Sequence, residues 1–131
     1  SANGIEVIDG CYIRNNSIYC AGAGTGIGIS NSTTTGKHTY EISNNLIEGF
    51  SGTGGIGIRG SNEGIYNYDG NGVYDCTAEY SGVEAGRIMF GDNDNEILTA
   101  SPFTSASTGD FSRVDTDNVK EGSRPFLIGV N

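Results

Sequence analysis

One pattern recurs along residues 4–98 of this 131-residue chain and limits what it can fold into. A glycine followed by an aliphatic residue alternates with an asparagine that has an aliphatic residue two positions later. The glycine pairs are Gly4-Ile5, Gly26-Ile27, Gly55-Ile56 and Gly82-Val83, and the asparagines are Asn16, Asn45, Asn71 and Asn95. The distance from an asparagine to the next glycine pair is 10, 10 and 11 residues, whereas the distance from a pair to its asparagine varies from 12 to 19. The pattern predicts a repeat protein whose units share one corner and differ in one loop.

Within each unit, apolar residues alternate with period two, which is typical of short strands. Such segments precede the asparagines at Cys11-x-Ile13, Tyr40-x-Ile42, Tyr66-x-Tyr68 and Ile88-x-Phe90. We therefore expect three strands per unit, with equivalent residues stacked about 4.8 Å apart. Four asparagines in register predict a ladder in which each side-chain amide hydrogen-bonds to the next. The glycines that open the units and the corner asparagines are expected to adopt positive φ angles.

Composition agrees with an all-β fold. Gly, Asn, Ser and Thr account for 59 of the 131 residues, and all four have low helix propensity. The glycines have no period of three, which excludes collagen. The chain also contains 14 Ile and 12 aromatic residues, too many to remain solvated in a disordered segment.

The GIxI…IxNNxI pattern over residues 4–98 resembles the right-handed parallel β-helix superfamily, the fold of pectate lyases, polygalacturonases and many phage tailspikes. The resemblance implies about four coils over residues 1–98, followed by a C-terminal cap or tail over residues 99–131. The segment from Ser101 to Phe111 is similar to a D-P-x-F…GDF segment that follows the last coil in extracellular bacterial β-helix proteins, with Ser101 in place of the usual Asp. This fold hosts lyases, hydrolases, epimerases, adhesins and fibres, so the resemblance predicts architecture rather than activity.

The first coil of such a stack would expose unpaired backbone, because no amphipathic helix precedes the repeat. The chain is then a fragment of a longer helix, or the open end pairs with another subunit, or the chain's own tail covers it. The tail ends in an apolar run that either packs on the last coil or adds a strand to a neighbour's sheet edge, which would build an open filament. The candidate assembly residues of this run are Phe126, Leu127, Ile128 and Val130.

Catalytic and metal-binding residues are hard to find in this sequence. Polysaccharide lyases of this fold use an Arg or Lys base and often Ca²⁺ held by carboxylates, and hydrolases of the fold use paired Asp residues. No residue matches a catalytic motif of the family, so the sequence favours a protein without enzymatic activity. Asp92 and Asp94 are weak Ca²⁺ candidates, because their Asp-Asn-Asp-Asn string lacks the Gly and closing Glu of an EF-hand loop.

Carbohydrate contact does not need catalysis, and exposed aromatic rings can stack on sugars. Tyr12, Tyr19 and Tyr74 lie on or near predicted coil faces, and His38 lies in the longest variable loop. We take these four residues as candidate carbohydrate contacts.

The chain is acidic, with a net charge of −9. This charge argues against nucleic acid and anionic membranes as partners but is compatible with Ca²⁺. No apolar run approaches the 18 residues of a membrane span. Cys11, Cys20 and Cys76 are an odd number of cysteines, so at least one is unpaired, and a Cys11–Cys20 disulfide stays open.

Two functional hypotheses follow. The first is a non-catalytic structural and adhesion module, outside the cell or on a virion or cell surface, that self-associates end to end. The alternative is the C-terminal portion of a carbohydrate-active β-helix enzyme.

Overall fold

Twelve short strands form three parallel sheets, and two further strands form a hairpin. The structure, a computed structural model, describes residues 3–7, 10–31, 38–60, 64–81, 89–90 and 95–114. The strands are β1 (Ile5–Val7), β2 (Cys11–Arg14), β3 (Ser17–Tyr19), β4 (Ile27–Asn31), β5 (His38–Ser43), β6 (Leu46–Glu48), β7 (Ile56–Arg59), β8 (Gly64–Asp69), β9 (Gly72–Tyr74), β10 (Ala78–Ser81), β11 (Met89–Phe90), β12 (Glu96–Ile97), β13 (Phe103–Ser105) and β14 (Asp110–Arg113).

Each parallel sheet collects every third strand of the chain. The first has the order β1-β4-β7-β10, the second β2-β5-β8-β11 and the third β3-β6-β9-β12. All neighbouring strands in these sheets are parallel. The prediction of an all-β fold is therefore confirmed, and the sheets are parallel.

Most registers align equivalent residues of the repeat. Ile27 lies opposite Ile56 and Ile29 opposite Ile58 in the first sheet, and Ile18 lies opposite Ile47 in the third. The first unit departs from the prediction, because Ile5 lies opposite Ile29 instead of Ile27, a shift of two residues that keeps the side chain on the same face of the strand. Apolar residues from all three sheets and from one corner form the larger core cluster. Its buried members are Ile13, Ile29, Ile42, Ile47, Phe50, Ile58 and Val73.

The fourth unit departs from the predicted register. Gly82-Val83 was expected to align with Gly55-Ile56, but it is Ala78 that lies opposite Ile56, and Gly82-Val83 falls outside the described residues. Tyr80 occupies the position of Ile58 in the row and packs against the core. Tyr80 supplies the apolar side chain at this position, but no glycine–aliphatic pair precedes it. For this reason the sequence pattern predicted the strand at the wrong place.

The register of the second sheet is also shifted by one residue in this unit. We expected Ile88 to align with Tyr66, whereas Met89 lies opposite Tyr66 and Phe90 opposite Asn67. One residue more separates Met89 from Asn95 than separates Tyr66 from Asn71, so the linker between strand and asparagine is one residue longer here.

Positive φ angles fall on other residues than expected. At the asparagine corners they occur at Asn15 (60°), Asn44 (58°) and Gly70 (64°), each one position before a ladder asparagine. The described glycines that open the units, Gly4, Gly26 and Gly55, are not among the positive-φ residues. Gly28, within β4, also has no positive φ and is glycine for a packing reason. A Cβ at Gly28 would lie 2.6 Å from the Gly57 carbonyl oxygen and 2.6 Å from Ile47 Cγ2, so the glycine permits close approach of two elements.

The segment after the repeat forms an antiparallel hairpin, β13–β14, joined by a 3₁₀ turn at Ala106–Thr108 and by Gly109 at φ 86°. Phe103 and Ala106 bury themselves against Leu46 and Leu98 in a second core cluster. The hairpin thus packs beside the third sheet. The division of the chain at residue 98 stays a prediction. None of the described residues belongs to a helix that is long and apolar enough to cross a membrane.

Candidate functional site

A continuous row of hydrogen bonds joins the four asparagines that follow the corners. The backbone N–H and Nδ2 of Asn16 both donate to Oδ1 of Asn45, at 3.0 and 2.9 Å. Asn45 donates in the same way to Asn71, at 3.1 and 2.9 Å. Asn71 donates in turn to Asn95, at 3.0 and 2.8 Å. The row is compatible with the predicted asparagine ladder.

The two central asparagines are fully buried, with 0% exposure. Their Nδ2 groups make a second bond to a backbone carbonyl of the preceding unit, from Asn45 to Ile13 O at 3.0 Å and from Asn71 to Ile42 O at 2.8 Å. These contacts satisfy the amides in an interior where an unpaired polar group would be costly. The row therefore fixes the register of the third sheet.

The row has a fixed polarity and ends at Asn16. Each asparagine donates to the next one along the chain, so the Oδ1 of Asn16 is left as an acceptor that receives no hydrogen bond from any residue the structure describes. Asn16 Nδ2 also donates to Arg14 O, at 3.0 Å. The side-chain oxygen of Asn16 is thus the open terminus of the ladder.

The neighbouring backbone is open on the same side. The Asn16 carbonyl accepts from Leu46 N–H at 2.8 Å, and Cys20 N–H donates to the Glu48 carbonyl at 2.9 Å. Even-numbered residues of β3 and its two flanking residues therefore bond to β6. Because backbone groups alternate in direction along a strand, the N–H of Ser17 points away from β6. Ser17 Oγ is the one buried side-chain polar atom without a partner in the described part of the chain.

All three parallel sheets end at this side of the molecule. β1, β2 and β3 are the terminal strands of their sheets, and no described strand pairs with their outer edges. We call these outer edges together with Asn16 Oδ1 the open edge. A further parallel strand can add at this side without displacing any strand that the structure describes.

Tyr12 is the candidate carbohydrate contact that the fold leaves most open. Its side chain on β2 is 73% exposed, and the Arg14 guanidinium lies 4.8 Å from its ring centroid. Arg14 also forms an ion pair with Glu41 on β5, and the hydrogen bond to Glu41 raises the pKa of Arg14. The cluster places an aromatic ring beside paired polar groups on a rigid sheet face.

Tyr19 and Tyr74 lie elsewhere, on either side of Glu48 in the third sheet. Both are half-buried and pack against the cluster that contains the hairpin. Ser101 Oγ donates to Glu48 Oε2 at 2.6 Å. Burial raises the pKa of Glu48, the bond from Ser101 lowers it, and the charge of Asp75 raises it further. The structure does not bring these two tyrosines together with Tyr12.

The cysteines Cys11, Cys20 and Cys76 are all free thiols, so the possible Cys11–Cys20 disulfide is not formed. Each is half-buried and packs against the larger core cluster. Burial raises the pKa of Cys76 to about 11. These thiols fill space in the core, as small apolar side chains do.

The remaining candidate residues lie where the structure describes little. His38 begins β5, and its side chain is outside the description. The Ca²⁺ candidates Asp92 and Asp94 and the assembly residues Phe126, Leu127, Ile128 and Val130 lie outside the described residues. Within the described residues, no group of three His, Cys, Asp or Glu side chains could hold a metal ion.

Sequence reasoning missed two contacts that shape the surface. The Arg14–Glu41 pair joins strands 27 residues apart, and the Ser101–Glu48 bond spans 53 residues. The first could be found only after the two strands were aligned by their asparagines, and the second had no signal in the repeat.

No protein-family model matches the chain, and no curated protein or solved structure is significantly similar to it.

Proposed function

We propose that the chain is a non-catalytic structural and adhesion module, built as a right-handed parallel β-helix of about four coils, that associates end to end. The β-helix interpretation is supported by three parallel sheets that each take every third strand, and by equivalent residues in register. A right-handed path is the general preference for parallel crossover connections. The proposal includes a location outside the cell or on a virion or cell surface, on the basis of the β-helix resemblance.

The open edge is the observation that carries the structural role. Three strand edges and the terminal acceptor of the asparagine row lie on one side of the molecule. Soluble proteins usually protect such edges with bulges, charges or a covering segment. A further parallel strand that pairs with each sheet removes the exposed backbone, and a second copy supplies three such strands at once.

Sedimentation velocity of the purified chain over a wide range of concentrations tests the proposal. We expect oligomers of increasing size as concentration rises. We also expect stronger association in added NaCl, because copies of net charge −9 repel one another at low ionic strength. A single monomeric species at every concentration and salt level would contradict end-to-end association.

Tyr12 supports the adhesive role. Its exposed ring, with Arg14 and Glu41 beside it, combines a stacking surface with hydrogen-bonding groups of the kind that hold sugars. Binding to an array of neutral glycans tests this, with Tyr12→Ala expected to abolish binding. Ile97→Ala is the matched control, because Ile97 is also an exposed apolar side chain but lies on the third sheet, away from Tyr12. Loss of binding in the control alone, or no binding by the unaltered chain, would remove carbohydrate from the proposal.

A further inference from the structure

We infer that Asn16 Oδ1 and the Ser17 N–H form a docking site for one asparagine residue, supplied by the last coil of a second copy of this chain. The inference rests on the proposed end-to-end association and specifies its partner, direction and register. In the second copy, the residue at the equivalent position of the row is Asn95.

The recognition pattern occurs three times inside the chain. An asparagine donates its N–H and its Nδ2 to the Oδ1 of the next asparagine, and its carbonyl accepts the N–H of the residue after that asparagine. The carbonyl bonds are Leu46 N–H to Asn16 O at 2.8 Å, Gly72 N–H to Asn45 O at 2.9 Å and Glu96 N–H to Asn71 O at 2.8 Å. Each junction between units therefore binds an asparagine through three hydrogen bonds of one geometry.

The open edge presents the receiving half of this pattern, and no group in the described part of the chain bonds to it. The acceptor is Asn16 Oδ1, and the donor is the N–H of Ser17, which points away from β6. These two groups correspond to Asn45 Oδ1 and Leu46 N–H at the first internal junction. Within the described residues, no group donates to Asn16 Oδ1, and no strand lies on the side toward which the Ser17 N–H points. Two complementary groups of the repeated pattern, one acceptor and one donor, are thus available at one edge.

A second copy fits this edge in one orientation. The three sheets have the same strand order and direction, so a copy whose fourth unit lies against β1–β3 extends every sheet in parallel. The polarity of the asparagine row is then continuous across the junction. Such an interface joins different surfaces of the two copies, so it repeats without closing and leaves one open edge at the end of every assembly.

A chain-terminator experiment tests this direction. Ser17→Pro removes the outward N–H and blocks strand pairing, and proline is tolerated at an edge whose N–H faces solvent. Asn16→Leu removes the acceptor oxygen. Either variant keeps the last coil, so it can bind the open edge of an unaltered copy but offers no edge of its own. Ser17→Ala, which keeps the N–H, is the matched control.

We expect Ser17→Pro and Asn16→Leu to associate with themselves about tenfold or more weakly than the unaltered chain, from the loss of one or more hydrogen bonds per junction. A small fraction of either should lower the average mass of unaltered assemblies in sedimentation, whereas Ser17→Ala should not. Cooperative urea unfolding of each variant shows that it is folded, and Ser17→Pro decides the test if Asn16→Leu is not.

Two results would overturn the docking site while the proposed function stands. The first is self-association of Ser17→Pro at the unaltered strength. The second is loss of association only when residues 126–130 are deleted, which would assign the partner strand to the tail. A monomeric unaltered chain would instead reject the proposed function itself, so the two failures are distinguishable.

Discussion

The backbone N–H and the side-chain Nδ2 of Asn45 converge on a single atom, the Oδ1 of Asn71, at 3.1 and 2.9 Å. Both residues are fully buried. The side chain of Asn45 also accepts two bonds from Asn16 and donates one to the Ile13 carbonyl. One amide therefore connects three consecutive units, and its removal leaves donors and an acceptor unpaired on both sides.

Asn45→Ala is expected to lower the free energy of unfolding by about 2–3 kcal/mol, because it leaves buried polar groups without partners. Asn16→Ala should cost about 1 kcal/mol, because Asn16 is half-buried and its Oδ1 receives no hydrogen bond from any described residue. Urea unfolding followed by circular dichroism measures both. Equal losses of unfolding free energy in Asn45→Ala and Asn16→Ala would show that the buried hydrogen bonds at the centre of the row contribute no more than those at its end.

Gly28 is expected to tolerate no side chain. A Cβ there would contact the Gly57 carbonyl oxygen and Ile47 Cγ2, each at 2.6 Å, so Gly28→Ala should destabilise the fold by about 1–3 kcal/mol through overpacking. Gly54→Asn is the matched control, because Gly54 has φ +79° and open space around it, and asparagine tolerates that backbone region. Thermal unfolding compares the two. A Gly28→Ala chain as stable as the control would contradict the close approach of these elements.

Glu48 makes a pH-dependent contribution. Its raised pKa, due first to burial, means that the folded state disfavours the charged carboxylate. The resulting penalty is present above the folded-state pKa and disappears as pH falls below the ordinary Glu pKa. Glu48→Gln should therefore stabilise the fold by a few tenths of a kcal/mol near pH 7, since Gln still accepts from Ser101, and by nothing at acidic pH. A Glu48→Gln chain that is less stable than the unaltered one at pH 7 would contradict this.

Cys76 should resist alkylation in the folded protein. Its pKa of about 11 keeps the thiol protonated at neutral pH, and the thiolate is the reactive form. Iodoacetamide should label Cys76 slowly in buffer and rapidly in urea, with mass spectrometry identifying the labelled peptide. The folded rate should keep rising up to about pH 11, and ionisation over that range should destabilise the fold. A folded rate that levels off at the unfolded thiol pKa would contradict the burial of Cys76.

The repeat predicted the strands and the asparagine row because both rest on spacing. The asparagines of the row align with one another from unit to unit, and each has an aliphatic residue two positions later that lies in the third sheet. These asparagines are Asn16, Asn45, Asn71 and Asn95. The fourth unit was misplaced because Ala78 and Tyr80 replace the expected glycine and isoleucine pattern.

The surroundings of the tyrosines could not be predicted from the repeat. The alternation of period two predicts that the side chains of Tyr12 and Tyr19 lie on the outer faces of their sheets, away from the core. It does not predict which outer face a later segment covers. The hairpin after residue 98 packs with Tyr19 and Tyr74 through Phe103 and leaves Tyr12 exposed. That choice depends on tertiary packing of a segment outside the repeat.

Small-angle X-ray scattering over a concentration series tests most directly whether copies stack along the direction in which the strands stack. Four strands at about 4.8 Å give a rise of about 19 Å per copy. End-to-end stacking predicts that the maximum dimension grows by about this amount for each added copy, while the cross-sectional radius stays constant. A cross-section that widens with association, or a monomer at every concentration, would contradict it.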